Sequence, residues 1–402
     1  MTGISIGLEF GKKRINVSIF VTLLFLALSL IFLLPFAALA EDEVLPPESV
    51  EIPEPETVRG KVLAIERDHE KEQLYAEFSE GYEIEYYKVQ IELKAGQDKG
   101  QLVEAEHVID QRMVYKLEID PGDQVLIYLE RDQQGNILNA YISDIYRQNY
   151  LMLLLILFLL ALVALGGWKG LKTIVTLFLT GIAIVKFLLP GLLAGYSPIL
   201  LTVVICAVVT ALTLLIVSGT GRKTLAAILG TTGGVLMAGI IAYIFGSVTK
   251  LTGLGDEQTQ MLAFIPQGTG FDYQGLLFAG IILGSLGAIM DVGISIASAM
   301  SEIEAVKPDI KNRDLFKAAL NVGRDVMGTM SNTLILAYTG ASLSLLLLFL
   351  AHQTPVQEFL NWDMIATEIV RALAGSIGLI LTVPLTALVT VAFRPKKAKR
   401  NN

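Results

Sequence analysis

The sequence predicts an α-helical integral membrane bundle of about seven or eight transmembrane helices, with a small extracytoplasmic β-barrel, OB-like in size, near the N-terminus. Three observations predict it. The 402 residues are 53% hydrophobic with a mean hydropathy of +0.59, and the apolar residues gather in long runs. A bilayer crossing takes about 20 such residues. Between 57 and 147 the apolar period falls to two, the signature of half-buried strands. Beyond 147, basic residues concentrate in alternate inter-helical loops, as the positive-inside rule requires.

Taken in order, residues 1–40 form a signal peptide or a first transmembrane helix. Lys12, Lys13 and Arg14 precede an apolar run over 17–40 that ends Ala38-Leu39-Ala40. A basic start, an apolar middle and a small-x-small end describe a secretory signal. The run is also long enough to be retained as a span, and either outcome places residues 41–147 outside the cytoplasm. Residues 41–56 are a linker rich in proline and glutamate. The barrel segment, 57–147, holds five alternating stretches, among them VRGKVLAIE and DQVLIYLERD, separated by turn signals at Ala95-Gly96, Pro121-Gly122 and Gln134-Gly135. Its acidic surface and outside location suit a partner-docking or gating domain, with a structural cap as the plainer alternative.

The transmembrane domain, 148–394, contains seven apolar segments near 150–165, 171–189, 198–217, 224–248, 273–298, 326–350 and 365–393. Loops with Lys169 and Lys172, with Arg222 and Lys223, and with Lys307, Lys311, Arg313, Lys317 and Arg324 fall on the same side as the basic tail 395–402. The intervening loops are neutral or acidic. This pattern describes a multi-pass membrane protein with 41–147 outside the cytoplasm and the C-terminus inside. In the outer loop, Asp256-Glu257 is expected to cap a short helix carrying Met261, Leu262, Phe264 and Ile265. On the inner side, 312–324 fits a short amphipathic connector helix with Phe316, Ala319, Leu320 and Gly323 on its apolar face.

The segment 280–302 carries the strongest functional signal. Stepping by fours and threes from Gly280 gives Gly284, Gly287, Asp291, Ser295, Ser298 and Glu302, all on one helical face. That stripe is small on one side of Asp291 and polar on the other, and it must meet protein or water. An intramembrane carboxylate costs several kcal/mol and commonly marks an ion or proton route. The structural alternative is a hydrogen-bonding residue that locks helices together. Gly280, Gly284 and Gly287, with Gly230 and Gly234 in the earlier helix, are helix-packing candidates. At comparable depth lie Thr231, Thr232, Thr329, Ser331, Asn332 and Thr333, with Arg324 and Asp325 at the inner mouth. Asp291, Asn332, Ser295 and Thr231 are therefore the ion- or proton-coupling candidates. Ordinary hydroxyl packing accounts for any one of the Ser and Thr residues alone. In the last helix Glu368 and Arg371, three apart, form a local ion pair, and with Arg324 they are the gating candidates.

Other classes lack support. The single Cys206 lies in an apolar run and excludes an intramolecular disulfide. His69, His107 and His352 are scattered, so no metal or other cofactor is expected. The loop from Ser218 to Lys223 lacks P-loop spacing and comes after a membrane helix, and nothing points to nucleic acid. HExxH, GxSxG and paired-carboxylate patterns are missing, so no enzymatic activity is expected.

Three stretches, GTGRKTLAAILGTTGGVLMAG (219–239), LGSLGAIMDVGISIASAMSEI (283–303) and GRDVMGTMSNTLILAYTGASL (323–343), together with the preceding β domain, resemble the YibE/F family of bacterial membrane proteins over about 57–393. The resemblance implies an architecture and brings no reaction with it. Residues 284–302, the basic loop and 323–350 are more distantly similar to the central helix pair of RND permeases and the SecD/SecF motors, where Asp291 would correspond to the proton-relay carboxylate. Val292 comes next where that pattern often has a second acidic or amide residue. There are about two helices too many, and no second half exists within the chain, so a homodimer would be needed to mimic a full pair. The expected function is secondary transport or proton-coupled permeation using Asp291. The alternative is a non-transporting assembly, insertion or regulatory factor whose outer domain recruits a protein partner.

Overall fold

Strict alternation closes the first unit of the structure. β3 (Glu56–Arg67), β4 (Ile84–Leu93), β5 (Leu102–Asp110), β6 (Gln124–Arg131) and β7 (Ile137–Ile145) form a closed barrel in the order β3-β4-β5-β7-β6, and β6 pairs back onto β3. Every second residue points inward: Val89, Ile91 and Leu93, then Val103 and Ala105, then Val125, Ile127 and Leu129 are buried. Where β3 crosses β4 and β6, Gly60 leaves no room for a Cβ against Ile91 and Ile127, so the barrel wall closes there at backbone distance. Helix α1 (His69–Tyr75) lies between β3 and β4, and Asp68 before it pairs with Lys88 at 3.0 Å. Closure removes the sheet edges that would otherwise template aggregation.

The computed structural model describes residues 7–10, 13–16, 56–75, 84–132, 134–265 and 270–394. The apolar run 17–40, nearly all of the 41–56 linker and the tail 395–402 lie outside the described residues. A short hairpin of β1 (Gly7–Phe10) and β2 (Lys13–Asn16), not anticipated from the basic cluster, precedes them. Two compact units emerge, residues 42–161, and residues 1–41 together with 162–402.

The second unit is helical. Among the described residues, five helices are long and apolar enough to cross a membrane, or six if one bent pair is a single span. The expected segments 150–165 and 171–189 fall within α2 (Gln148–Ala183), which continues through a π turn (Ile184–Leu188) into α3 (Leu189–Leu193). They are two helices joined at a sharp kink, as expected: Gly167 breaks the helical path at φ 51, ψ −130, a conformation glycine alone adopts readily, and Gly170 comes against the Leu162 carbonyl. α4 (Pro198–Ser218) and α5 (Arg222–Val248) match the expected spans. The short α6 (Glu257–Met261) is capped as anticipated, the Thr259 amide donating to Asp256 Oδ1 at 2.7 Å.

Helix α7 (Tyr273–Val306) carries Asp291, and its N-terminus is capped by Asp272. The amphipathic connector turns out not to be separate. Residues 312–324 and the subsequent span form one helix, α8 (Asn312–Ala341), which bends by 62° into α9 (Leu343–His352). No proline interrupts 312–341, and Gly323 is held in the helix by packing on Val383. Of the expected apolar face, Ala319 and Gly323 are buried and Phe316 and Leu320 half-buried, while Leu315, outside the expected set, is fully buried. After a short α10 (Val356–Phe359), α11 (Asp363–Ala392) completes the bundle. Its core joins Cys206 and Val209 of α4, Val235 of α5, Ile289 and Ile296 of α7, and Leu379 and Val383 of α11.

The barrel is expected to fold by itself, with a β-type circular dichroism spectrum, and to be acid-sensitive. His107 is buried and donates through Nε2 to the Leu117 carbonyl at 2.7 Å, and burial holds its pKa below the usual histidine range. Below about pH 6.5 the unfolded imidazole binds a proton that the folded one refuses, so stability falls with pH until the lower folded value is reached. Asp68 and Asp110, held low by Lys88 and Arg112, add a second loss at more acidic pH. His107→Asn should remove the first phase and leave the second. A barrel whose melting temperature is constant between pH 7 and 5 would contradict this.

Candidate functional site

The outward face of α7 differs from those of α5 and α11. Between Tyr273 and Ile303 its exposed residues are Gly280, Gly284, Gly287, Asp291, Ser295 and Glu302. The predicted stripe is thus the exposed face of this helix, with Ser298, its remaining member, half-buried. No large apolar side chain is exposed along it, whereas α5 exposes Leu229, Leu236 and Ile240 and α11 exposes Leu373, Ile377 and Leu388. The opposite side of α7, Ile281, Ile282, Ile289, Val292 and Ile296, is fully buried. The stripe was expected to face protein or water, and within a single chain it points out of the bundle.

The four coupling candidates are therefore divided. Asp291, Ser295 and Asn332 are exposed, and their side chains have no hydrogen-bond partner among the described residues. Thr231 is fully buried on α5, with its hydroxyl against Gly293 on the inner side of α7, so it does not join Asp291. The single polar layer expected from depth alone separates into an interior set, Thr231, Thr382 and Thr386, and an outward set around Asp291.

The glycines divide in the same way. Gly230 lies against Thr386, and Gly234 against Thr382 and the Gly378 carbonyl, so α5 and α11 meet at backbone distance. Thr382 Oγ1 donates to that same carbonyl at 2.9 Å. Gly284 faces α8, where a Cβ would stand 2.9 Å from the Tyr338 hydroxyl. Around Gly280 and Gly287 a Cβ would meet nothing within 4 Å. Their expected packing role finds no neighbour among the described residues, because they sit on the outward face.

The Gly284–Tyr338 approach sets the register of α7 against α8. The helices run in opposite directions, and seven residues along each is about 10 Å at a rise of ~1.5 Å per residue. Asp291 is therefore level with Ser331 and Asn332. From Asp325 to Thr333, α8 exposes Asp325, Gly328, Thr329, Asn332 and Thr333. A wall two helices wide, small and polar, surrounds the carboxylate. Tyr338 was missed in the sequence. Its signal is its position seven residues beyond Ser331, on the same helical face.

The two ends of the bundle differ in charge. At one end a cavity of about 320 Å³ is lined by Arg222, Lys223, Glu304 and Arg394. Arg394 donates to Glu304 at 2.8 Å and to the Ile310 carbonyl, tying the end of α11 to the α7–α8 loop. At the other end a cavity of about 410 Å³ is lined by Asp256, Glu257, Thr367, Glu368, Arg371 and Gly280. Here Arg371 Nη1 and Glu368 Oε1 form the anticipated pair at 2.8 Å, and Asp363 accepts from Thr252. Arg324 is exposed and donates to Asn321 of its own helix at 3.1 Å, apart from that pair.

The family model described as YibE/F-like protein matches residues 154–396, and the YibE/F family N-terminal domain matches 55–145. No curated protein and no solved structure matches the chain.

The interior glycines carry a direct prediction. Gly234→Leu demands space that Thr382 and the Gly378 carbonyl occupy, and should cost about 1–3 kcal/mol or more of stability. The expected readout is a clear drop in melting temperature in detergent. An unchanged melting temperature would contradict the α5–α11 packing.

Proposed function

The chain belongs to the YibE/F family, and from that premise we propose that it is a proton-coupled permease of the bacterial plasma membrane, with Asp291 as the coupling carboxylate. The observation that carries the proposal is the placement of Asp291. It lies in the middle of a long apolar helix, on a face stripped of large side chains, without a partner from its own chain among the described residues, and level with Asn332 and Ser331. A carboxyl exchanges a proton while keeping its shape, so its charge, and the cost of its surroundings, changes at each exchange. That is what a coupling residue needs. Ser295, Thr329 and Asn332 supply the neighbouring hydrogen-bonding groups along the wall.

The charge asymmetry supports the orientation. The end with Arg222, Lys223 and Arg394 is the cytoplasmic one, and the end with Asp256, Glu257, Asp363 and Glu368 faces outside under the positive-inside rule. In this orientation the Glu368–Arg371 pair stands in the outer cavity, between the exterior and the start of the glycine stripe at Gly280. It is placed to act as a gate there, while Arg324 stands at the inner mouth.

A second reading has its own observation. Met113, Val114 and Tyr115, three consecutive residues on the loop after β5, are exposed. Such a stretch suits docking of a protein partner, as a non-transporting assembly or regulatory factor would require.

Asp291→Asn separates these readings. Asparagine keeps the shape and hydrogen bonds but cannot titrate, so the variant should insert normally and show proton flux in proteoliposomes no higher than empty vesicles. Asp291→Glu should keep part of the flux. Wild-type flux in Asp291→Asn at matched expression would leave Asp291 a packing residue and remove the basis for coupling.

A further inference from the structure

We infer that the wall formed by the outward faces of α7 and α8 is covered by the same wall of a second copy of this chain, related by a two-fold axis along the helices. The inference rests on the proposal that these helices span a bilayer, and not on Asp291 carrying protons. Hydrocarbon offers no hydrogen bonds, and the Asp291 carboxylate, the Asn332 amide and the Ser295 hydroxyl facing it would each go unsatisfied, whereas the Thr329 and Thr333 hydroxyls donate to carbonyls of their own helix. α5 and α11 expose large apolar side chains, as lipid-facing surfaces do, whereas α7 exposes none from Gly280 to Glu302 and α8 none from Asp325 to Thr333, before Ile335 and Leu336.

The remaining apolar segments of this chain are poor covers. Residues 151–165 contain no polar side chain, and 17–40 contain only Ser18, Thr22 and Ser29 among large aliphatic and aromatic residues. Neither brings groups that match Asp291 and Asn332. A second copy does. Asn332 and Ser295 donate, Asp291 and Asn332 accept, and Asp291 and Asn332 lie at one depth with Ser295 one turn further along. Arg324 and Asp325 are neighbours in sequence and both exposed. A two-fold axis along the helices keeps their depth and sets each Arg324 opposite the other chain's Asp325, so the wall is self-complementary in charge. Gly280, Gly287 and Gly328, each with nothing within 4 Å of a Cβ, allow the backbones to close on one another. The second copy thereby completes the surroundings of Asp291 that one chain leaves open.

Single cysteines in the full-length protein test this. With Cys206 replaced by serine, Gly287→Cys and Thr329→Cys are treated with a short bis-maleimide in native membranes, and Leu236→Cys on the lipid-facing side of α5 serves as control. Covalent dimers are expected at both wall positions and not at the control. Gly287→Trp, which meets nothing in its own chain, should keep expression and helical content while converting two-chain particles in lipid nanodiscs to single chains. Three results would overturn the inference: single-chain particles for the unsubstituted protein, equal linkage at Leu236→Cys, or, with Gly287→Cys and Ser29→Cys combined, linkage within one chain in place of the dimer. Cross-linking requires no flux, so its failure is distinct from failure of the proton assay.

Discussion

The helical unit depends on one contact, the backbone-close packing of α5 against α11 and α7. Gly230 and Gly234 receive Thr386 and Thr382, and Gly293 receives Thr231. Removing side chains at these points lets three helices approach until hydroxyls fill the gaps that glycine leaves. The consequence for α7 is orientational. Once Gly293 and Ile289 are locked inward, Asp291 has one direction left, and the fours-and-threes stripe it belongs to must point out. The apparent weakness of the site, a carboxylate on the outside of a bundle, comes from the strength of the packing behind it.

This explains which parts of the structure were legible in advance. Strand positions were, because the barrel's inner face is filled by every second residue and nothing else competes for that pattern. The membership of the α7 stripe was legible because helical period alone decides which residues share a face. What lies opposite that face was not. Gly234 and Gly287 are the same residue in similar surroundings of sequence, yet one is packed against a threonine and the other is open. Thr231 was assigned to Asp291 by depth, and depth carries no information about azimuth. The bend at Ser342 and the fusion of the connector with its span were likewise hidden. The fusion depends on where a continuous helix finds partners, Leu315 and Ala319 in the core and Gly323 on Val383, while the bend falls just after Gly340, where glycine weakens the helix.

The two units divide the chemistry. The barrel is a closed β module stabilised by alternation and by pairs such as Asp68 with Lys88 and Arg131 with Glu56 and Asp98. Between its two charged ends, the bundle holds polar groups in an interior set of threonines and in an open wall around Asp291. The threonines are explained by packing. The wall is not, and the proposals of proton coupling and of a second copy both address what it is for.

The central claim is that Asp291 changes its protonation on that wall while the surrounding bundle stays folded. Infrared difference spectroscopy of the full-length protein in lipid, recorded across a pH step, tests it most directly. The account predicts a carboxylic acid carbonyl band that changes across the step in the unsubstituted protein and is absent from Asp291→Asn. Identical difference spectra from the two proteins would contradict it.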